Sequence, residues 1–181
     1  DYNYTLDDGV ATNAGVLTVM ADTTGVVTST LPEDSLADLI ADFITGGAKS
    51  TTSDVITVPL SAGTASAVDL NSLNDAMGGT INAAKLTGIT SSSAAHVAAL
   101  TASNSGVTWD GNQVIALSDT GALDSTAKTN LDAIRGRTTG AVTIGDGGAI
   151  TGTAAALNAA LSATESGSSV DAMTFTLDAA A

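Results

Sequence analysis

Gly140–Thr164, GAVTIGDGGAITGTAAALNAALSAT, reads as a short strand, a glycine turn, a second short strand and an alanine-rich helix. Gly79–Ser103, GTINAAKLTGITSSSAAHVAALTAS, aligns with it without a gap, Gly79 falling on Gly140 and Ser103 on Thr164. The matches fall at Gly, Ile-Thr, Ala-Ala, Ala-Ala-Leu and a later Ala. A unit of this size that recurs is a supersecondary module stacking on its copies. The turn differs between the two: Gly145-Asp146-Gly147-Gly148 stands where the earlier unit has Ala84-Lys85-Leu86-Thr87. The shared part is therefore the Ile-Thr strand and the Ala-Leu helix face, which is a packing signal.

Two further echoes extend the period. Thr23–Thr28, TTGVVT, returns as Thr138–Thr143, TTGAVT, and Val55-Ile56 returns as Val114-Ile115. The inward residues of the successive expected helices are Leu39, Leu73, Val97, Leu131 and Leu157. The steps between them are alternately long and short, giving a double repeat of about 60 residues. A strand and one short helix fit into the shorter step, ~25 residues, as one turn of a β/α solenoid. The parallel strands of such a stack cross over right-handedly.

In chain order, Tyr2–Leu6 alternates so that Tyr2, Tyr4 and Leu6 share a strand face, and Asp7-Asp8-Gly9 marks a turn. Gly15–Met20 (GVLTVM) and Gly25–Thr30 (GVVTST) read as strands. Pro32–Thr45 reads as a helix with Pro at its first position and Glu33 and Asp34 at its positive end. Leu36, Leu39, Ile40 and Phe43 form its buried stripe, and Gly46-Gly47 stops it. Val55–Leu60 is a strand in which Pro59 marks an edge or a strand end. Helices follow at Ala67–Met77, with Leu70, Leu73 and Met77 inward, and near Ser92–Ala102. Gly106–Trp109 and Gln113–Leu117 suggest a hairpin around Asp110-Gly111. Ser125–Arg135 is a helix with Leu131 and Ile134 inward, capped at Asp124 or Ser125 and carrying Arg135 in its last turn. Met173–Leu177 alternates again.

The expected fold class is an α/β repeat, a solenoid-like stack of strand-plus-short-helix layers with extra β-hairpins; the alternative is a set of β-rich α+β sandwiches. Residues 1–181 would form one repeat-built domain or a section of a longer array. Within it, 1–24 would hold the N-terminal strands, 25–164 the strand/helix layers and 165–181 the C-terminal strand.

Composition narrows the function. Ala and Thr make up about a third of the chain and aromatics only 3%, which suits thin, closely stacked layers better than a bulky core. The net charge is -14, with 17 Asp and two Glu against five cations. Phosphate backbones are repelled by such a surface, so nucleic-acid binding is not expected. The acidity fits a solvated, self-repelling surface on an extracellular or high-salt protein. Without cysteine there is no disulfide framework, thiolate metal site or Cys nucleophile. No apolar run is long enough to span a membrane. The start at Asp1, with neither Met nor a signal-like segment, is that expected of a processed protein or a section of a longer one.

TTGVVT, ITGTAAALNAAL and VITVPL, and with them most of the chain from position 23 to 161, resemble the Thr/Ala/Asp-rich repeats of very long bacterial secreted and surface proteins. Cyanobacterial exoproteins, type-I-secreted adhesins and S-layer proteins are examples. The resemblance implies an extracellular or cell-surface location. Many such proteins also carry calcium-binding glycine-aspartate nonapeptides; here Gly145–Gly148 is only a fragment of that pattern.

Little in the chain resembles catalytic chemistry. His96 is the sole histidine and aligns with Leu157, the position of a helix-flank packing residue, and a zinc site would have to be built from carboxylates alone. No GxSxG elbow, EF-hand spacing, GxGxxG or Walker loop is present. Asp7, Asp8, Asp110, Asn112 and Asp146 could donate oxygens to Ca²⁺, although each also suits an ordinary turn. A flat, ice-binding threonine face would need regular ranks, and Thr28/Thr30, Thr151/Thr153 and Thr174/Thr176 do not recur at one period.

The ends hold three of the five aromatics. Tyr2, Tyr4, Leu6, Met173, Phe175 and Leu177 are therefore the expected assembly residues, joining copies head-to-tail by strand addition. The expectation is a non-enzymatic structural protein, a homopolymeric subunit of a filament, sheath or surface layer. The alternative is an adhesin or phage-fibre-like module recognising surfaces or glycans, with Trp109 and Phe43 as its mid-chain aromatics.

Overall fold

A computed structural model describes residues 2–6, 12–46, 54–77, 79–101, 106–119, 121–123, 125–144, 148–152 and 174–177. The architecture is mixed α/β, and every described strand pairing is parallel. The chain divides into two compact units. One is Asp1–Ala65 with Asp69–Leu86 and Ser103–Asp110; the other is Ser66–Val68 with Thr87–Ala102 and Gly111–Ala181.

The first unit is organised on a five-stranded sheet, β1 (Tyr4–Thr5), β2 (Val27–Thr30), β3 (Val55–Pro59), β5 (Thr80–Asn82) and β7 (Val107–Thr108), in that spatial order. Tyr4 lies opposite Val27, Thr28 opposite Val55, Thr57 opposite Thr80 and Ile81 opposite Val107. Each strand thus lands on one that precedes it by about 25 residues, a span that holds a short helix and, from β3 onward, a further strand that belongs to another sheet. Strand β4 (Gly63–Ser66) follows β3 and leads into helix α3. One face of the sheet is apolar: Val27, Ile56, Val58, Ile81 and Val107 are all buried. Helix α1 (Asn13–Asp22) adds Val16, α2 (Leu36–Ile40) with the π-helical turn Ala41–Thr45 adds Leu39 and Phe43, and α3 (Ala67–Ala76) adds Leu70 and Leu73. The stripe expected on 32–45 is present, with Leu39 and Phe43 buried and Leu36 and Ile40 half-buried. Its helix starts later than Pro32, because Asp34 forms a β-bridge with Leu60 and Ser35 takes the cap, accepting from the Asp38 N–H at 3.1 Å.

The second unit carries two more parallel sheets. One holds, in spatial order, β10 (Val142–Ile144), β8 (Val114–Leu117) and β6 (Leu86–Ser92). The other runs β12 (Thr174–Leu177), β11 (Gly148–Gly152), β9 (Gly121–Leu123). The register repeats the step of the first unit: Gly88 pairs with Val114, Ile115 with Val142, Gly121 with Gly148 and Ala149 with Thr174. Helices α4 (Ala94–Thr101) and α5 (Ser125–Arg135) pack on each other. Val97, Leu100, Leu131 and Ile134 are buried on them, beside Ile89, Ile115 and Val142 of the strands.

Two strand expectations are corrected. Gly15–Met20 belongs to helix α1, so the described residues among 1–24 hold one two-residue strand and a helix rather than a set of strands. The reason is local: Thr12 caps the helix by accepting from the Gly15 N–H at 3.1 Å, and a short apolar run does not by itself distinguish strand from helix. The hairpin around Asp110-Gly111 is absent, since β7 and β8 lie in different sheets, β7 beside β5 and β8 between β6 and β10. Extra hairpins are therefore not part of the described fold, and the long connections suit parallel pairing. Pro59 marks a strand end, one of the two expected alternatives, and β3 itself is interior, between β2 and β5. The Asp7-Asp8-Gly9 turn, Gly47, Gly78, Asp124 and the helix expected after Gly152 lie outside the described residues.

Candidate functional site

Threonine and glycine together fix where strands land on their predecessors. In the first unit Thr23 Oγ1 donates to Tyr2 O at 2.9 Å and accepts from the Gly25 N–H at 3.0 Å. In the second, Thr138 Oγ1 donates to Gln113 O at 2.6 Å and accepts from the Gly140 N–H at 3.0 Å. A β-carbon on Gly25 would fall on the Tyr2 carbonyl, and one on Gly140 on the Gln113 carbonyl. Only hydrogen fits there. The echoed TTGVVT and TTGAVT are thus the same clamp used twice; the sequence displays the echo without disclosing its task. Thr138→Val removes one buried hydroxyl and its two bonds, and should cost about 1–2 kcal/mol in chemical denaturation.

The ends of the sheets are the candidate assembly surfaces. Strand β1 pairs with β2 through Tyr4 N to Val26 O and Leu6 N to Thr28 O, both 2.9 Å. Asn3 Oδ1 also accepts from the Val26 N–H at 2.9 Å. Alternate peptide groups of a strand point to opposite sides, so the Thr5 N–H is directed away from β2. Tyr2 and Tyr4 are 76% and 42% exposed, and Leu6 is half-buried. At the other end β12 is an edge strand in the sheet order, with Phe175 in register with Ile150 and Leu177 with Gly152. Met173 lies outside the described residues.

The acidic candidates are scattered. Asp7, Asp8 and Asp146 lie outside the described residues, and Asp110 and Asn112 are exposed. Among the described residues no group of three His, Cys, Asp or Glu side chains could hold a metal ion. A polar cluster that the sequence did not suggest ties α1 to the α2 region: Asn13 Nδ2 donates to Asp34 Oδ2 at 2.9 Å and Asp42 Oδ2 at 3.0 Å. One amide therefore bridges two carboxylates. Asn13→Ala should cost about 1.5–3 kcal/mol, the scale of a hydrogen bond to a charged group, and a urea titration would measure it.

Other polar residues have structural roles. Asp54 is buried and its Oδ1 accepts from the Val27 N–H at 2.9 Å. Buried Gln113 accepts from the Gly111 N–H at 3.1 Å. His96 is exposed on α4, with Nδ1 3.0 Å from Ser93 Oγ. Burial pushes the Arg135 guanidinium below its ordinary value, and the nearby Asp132 carboxylate opposes that shift. Lys85 pairs with Glu33 at the surface. Of the mid-chain aromatics, Phe43 is buried and Trp109 half-buried. No described helix is long and apolar enough to cross a membrane.

No protein-family model matches the chain, and no curated protein or solved structure is significantly similar to it.

Proposed function

We propose that the chain is a structural extracellular protein, the subunit of a filament, sheath or surface layer, folded as a β/α solenoid and assembled through its terminal strands. The observation that carries this reading is that each sheet takes up its strands in chain order, and that the pairings of described register are parallel at a step of about 25 residues. Such a stack has no intrinsic stop. Its last strand at each end offers an edge to another strand, and a head-to-tail contact between unlike edges propagates into fibres. The uncovered Tyr2 and Tyr4 on the N-terminal edge favour this use. The extracellular or cell-surface placement rests on the acidic, cysteine-free composition.

Negative-stain electron microscopy of the purified chain over rising concentration, with and without Ca²⁺, tests the reading. Filaments or sheets are expected; monodisperse monomers throughout would reject it. Because subunits of charge -14 repel one another, assembly should strengthen as salt rises towards about 1 M, where the Debye length falls to about 3 Å. Light scattering against NaCl concentration measures this. The adhesin alternative needs exposed aromatics on a binding face, and the burial of Phe43 and half-burial of Trp109 argue against a mid-chain site.

A further inference from the structure

On the first sheet, the residues that alternate with the buried ones form three ranks. Thr5, Thr28 and Val55 are register partners; so are Thr30, Thr57 and Thr80; and so are Pro59, Asn82 and Thr108. Thr5, Val55, Thr80, Asn82 and Thr108 are exposed and the other four half-buried. Sequence alone hid the middle rank, because the step from Thr30 to Thr57 is longer than that from Thr57 to Thr80 and no single period connects all three. All-parallel sheets are ordinarily covered on both faces; among the described residues, this one leaves a face to solvent.

The chemistry of the face restricts its occupant. None of the nine residues is charged, in a chain with 19 acidic and five basic side chains, so a polyion has nothing to pair with. No aromatic offers a platform for a sugar ring. Strands spaced about 4.8 Å apart and alternate residues about 6.7 Å apart make the nine positions cover roughly 290 Å², well below the ~800 Å² per partner of a stable protein interface. The remaining partner is neutral and itself periodic. A threonine hydroxyl can donate and accept, its methyl excludes mobile water, and its β-branched side chain is stiff at χ1. Repeated at about 4.8 by 6.7 Å, such groups approximate the oxygen repeat of an ice surface.

We propose that this face, centred on Thr30, Thr57 and Thr80, binds ice. The proposal is independent of the assembly reading. The full chain should slow ice growth, measured as thermal hysteresis in a nanolitre osmometer, and should partition into a slowly grown ice hemisphere. Thr57→Tyr, which raises a bulky ring from the central rank, should lose both activities. Thr18→Tyr, on the exposed side of α1, should keep both. Thr80→Lys, at the exposed end of the same rank, decides the matter if Thr57→Tyr does not fold as judged by circular dichroism. A wild-type chain with neither hysteresis nor partitioning overturns the proposal, and so does retention of activity in the folded variants. A change in sedimentation of Thr57→Tyr with unchanged ice activity would assign the face to a second copy and overturn it equally.

Discussion

Gly79→Ala is expected to lower stability by about 3 kcal/mol, at the severe end of single substitutions, with a fall in Tm of about 6–12 °C for a chain of this size. Gly79 sits just before β5, and a β-carbon there would overlap the backbone of Ile56, with Ile56 O, C and N as its nearest atoms. Backbone cannot swing aside as a flexible side chain can. Ile56 and Gly79 immediately precede Thr57 and Thr80, which are register partners, so relief would require moving β5 off β3. Gly136→Ala is the internal control: its nearest neighbours, Ala133 O and Asp132 O, stand 3.5 Å away, ordinary contact. That change should stay within about 0.5 kcal/mol. Equal unfolding midpoints for the two variants in guanidinium would show that the close approach carries no stability.

What the sequence made legible follows from the range of each interaction. Helices α3 and α5 were readable because their inward residues, Leu70, Leu73, Leu131 and Ile134, are spaced at the helix period, and all four are buried. Helix α1 was not, because Val16, Leu17, Val19 and Met20 form a compact apolar run and the deciding signal is one side-chain cap, Thr12. The Asp110-Gly111 turn chemistry was sound, since Gly111 has φ +79°. Its inference to a hairpin failed because β7 and β8 each pair with strands far along the chain, β5 for one and β6 and β10 for the other. The uneven spacing between helices has no counterpart in the number of intervening strands, since two described strands lie between α2 and α3 and two between α3 and α4. The strand register itself keeps nearly the same step throughout. The Tyr2 and Tyr4 edge could be anticipated from end-strand composition. The Thr-x-Gly clamps and the threonine ranks could not, because both depend on which residues come opposite each other across a layer.

On the assembly proposed above, Thr5→Pro should abolish filaments while costing the monomer less than about 1 kcal/mol, the scale of a surface change outside the hydrogen-bonded ladder. The strand β1 binds β2 through the N–H groups of Tyr4 and Leu6, which flank Thr5 and point inward to the sheet. The Thr5 N–H points the other way, so proline removes a donor from the outer edge without breaking a bond to β2, and its ring obstructs an incoming strand. Tyr4→Pro is the matched contrast. It deletes the Tyr4 N to Val26 O bond and should cost about 1 kcal/mol or more in addition to disturbing the edge. The two variants therefore separate edge chemistry from loss of the strand. Filaments from Thr5→Pro as long and as numerous as those of the unaltered chain would place the subunit joint elsewhere, and the C-terminal strand β12 would then be the edge to block.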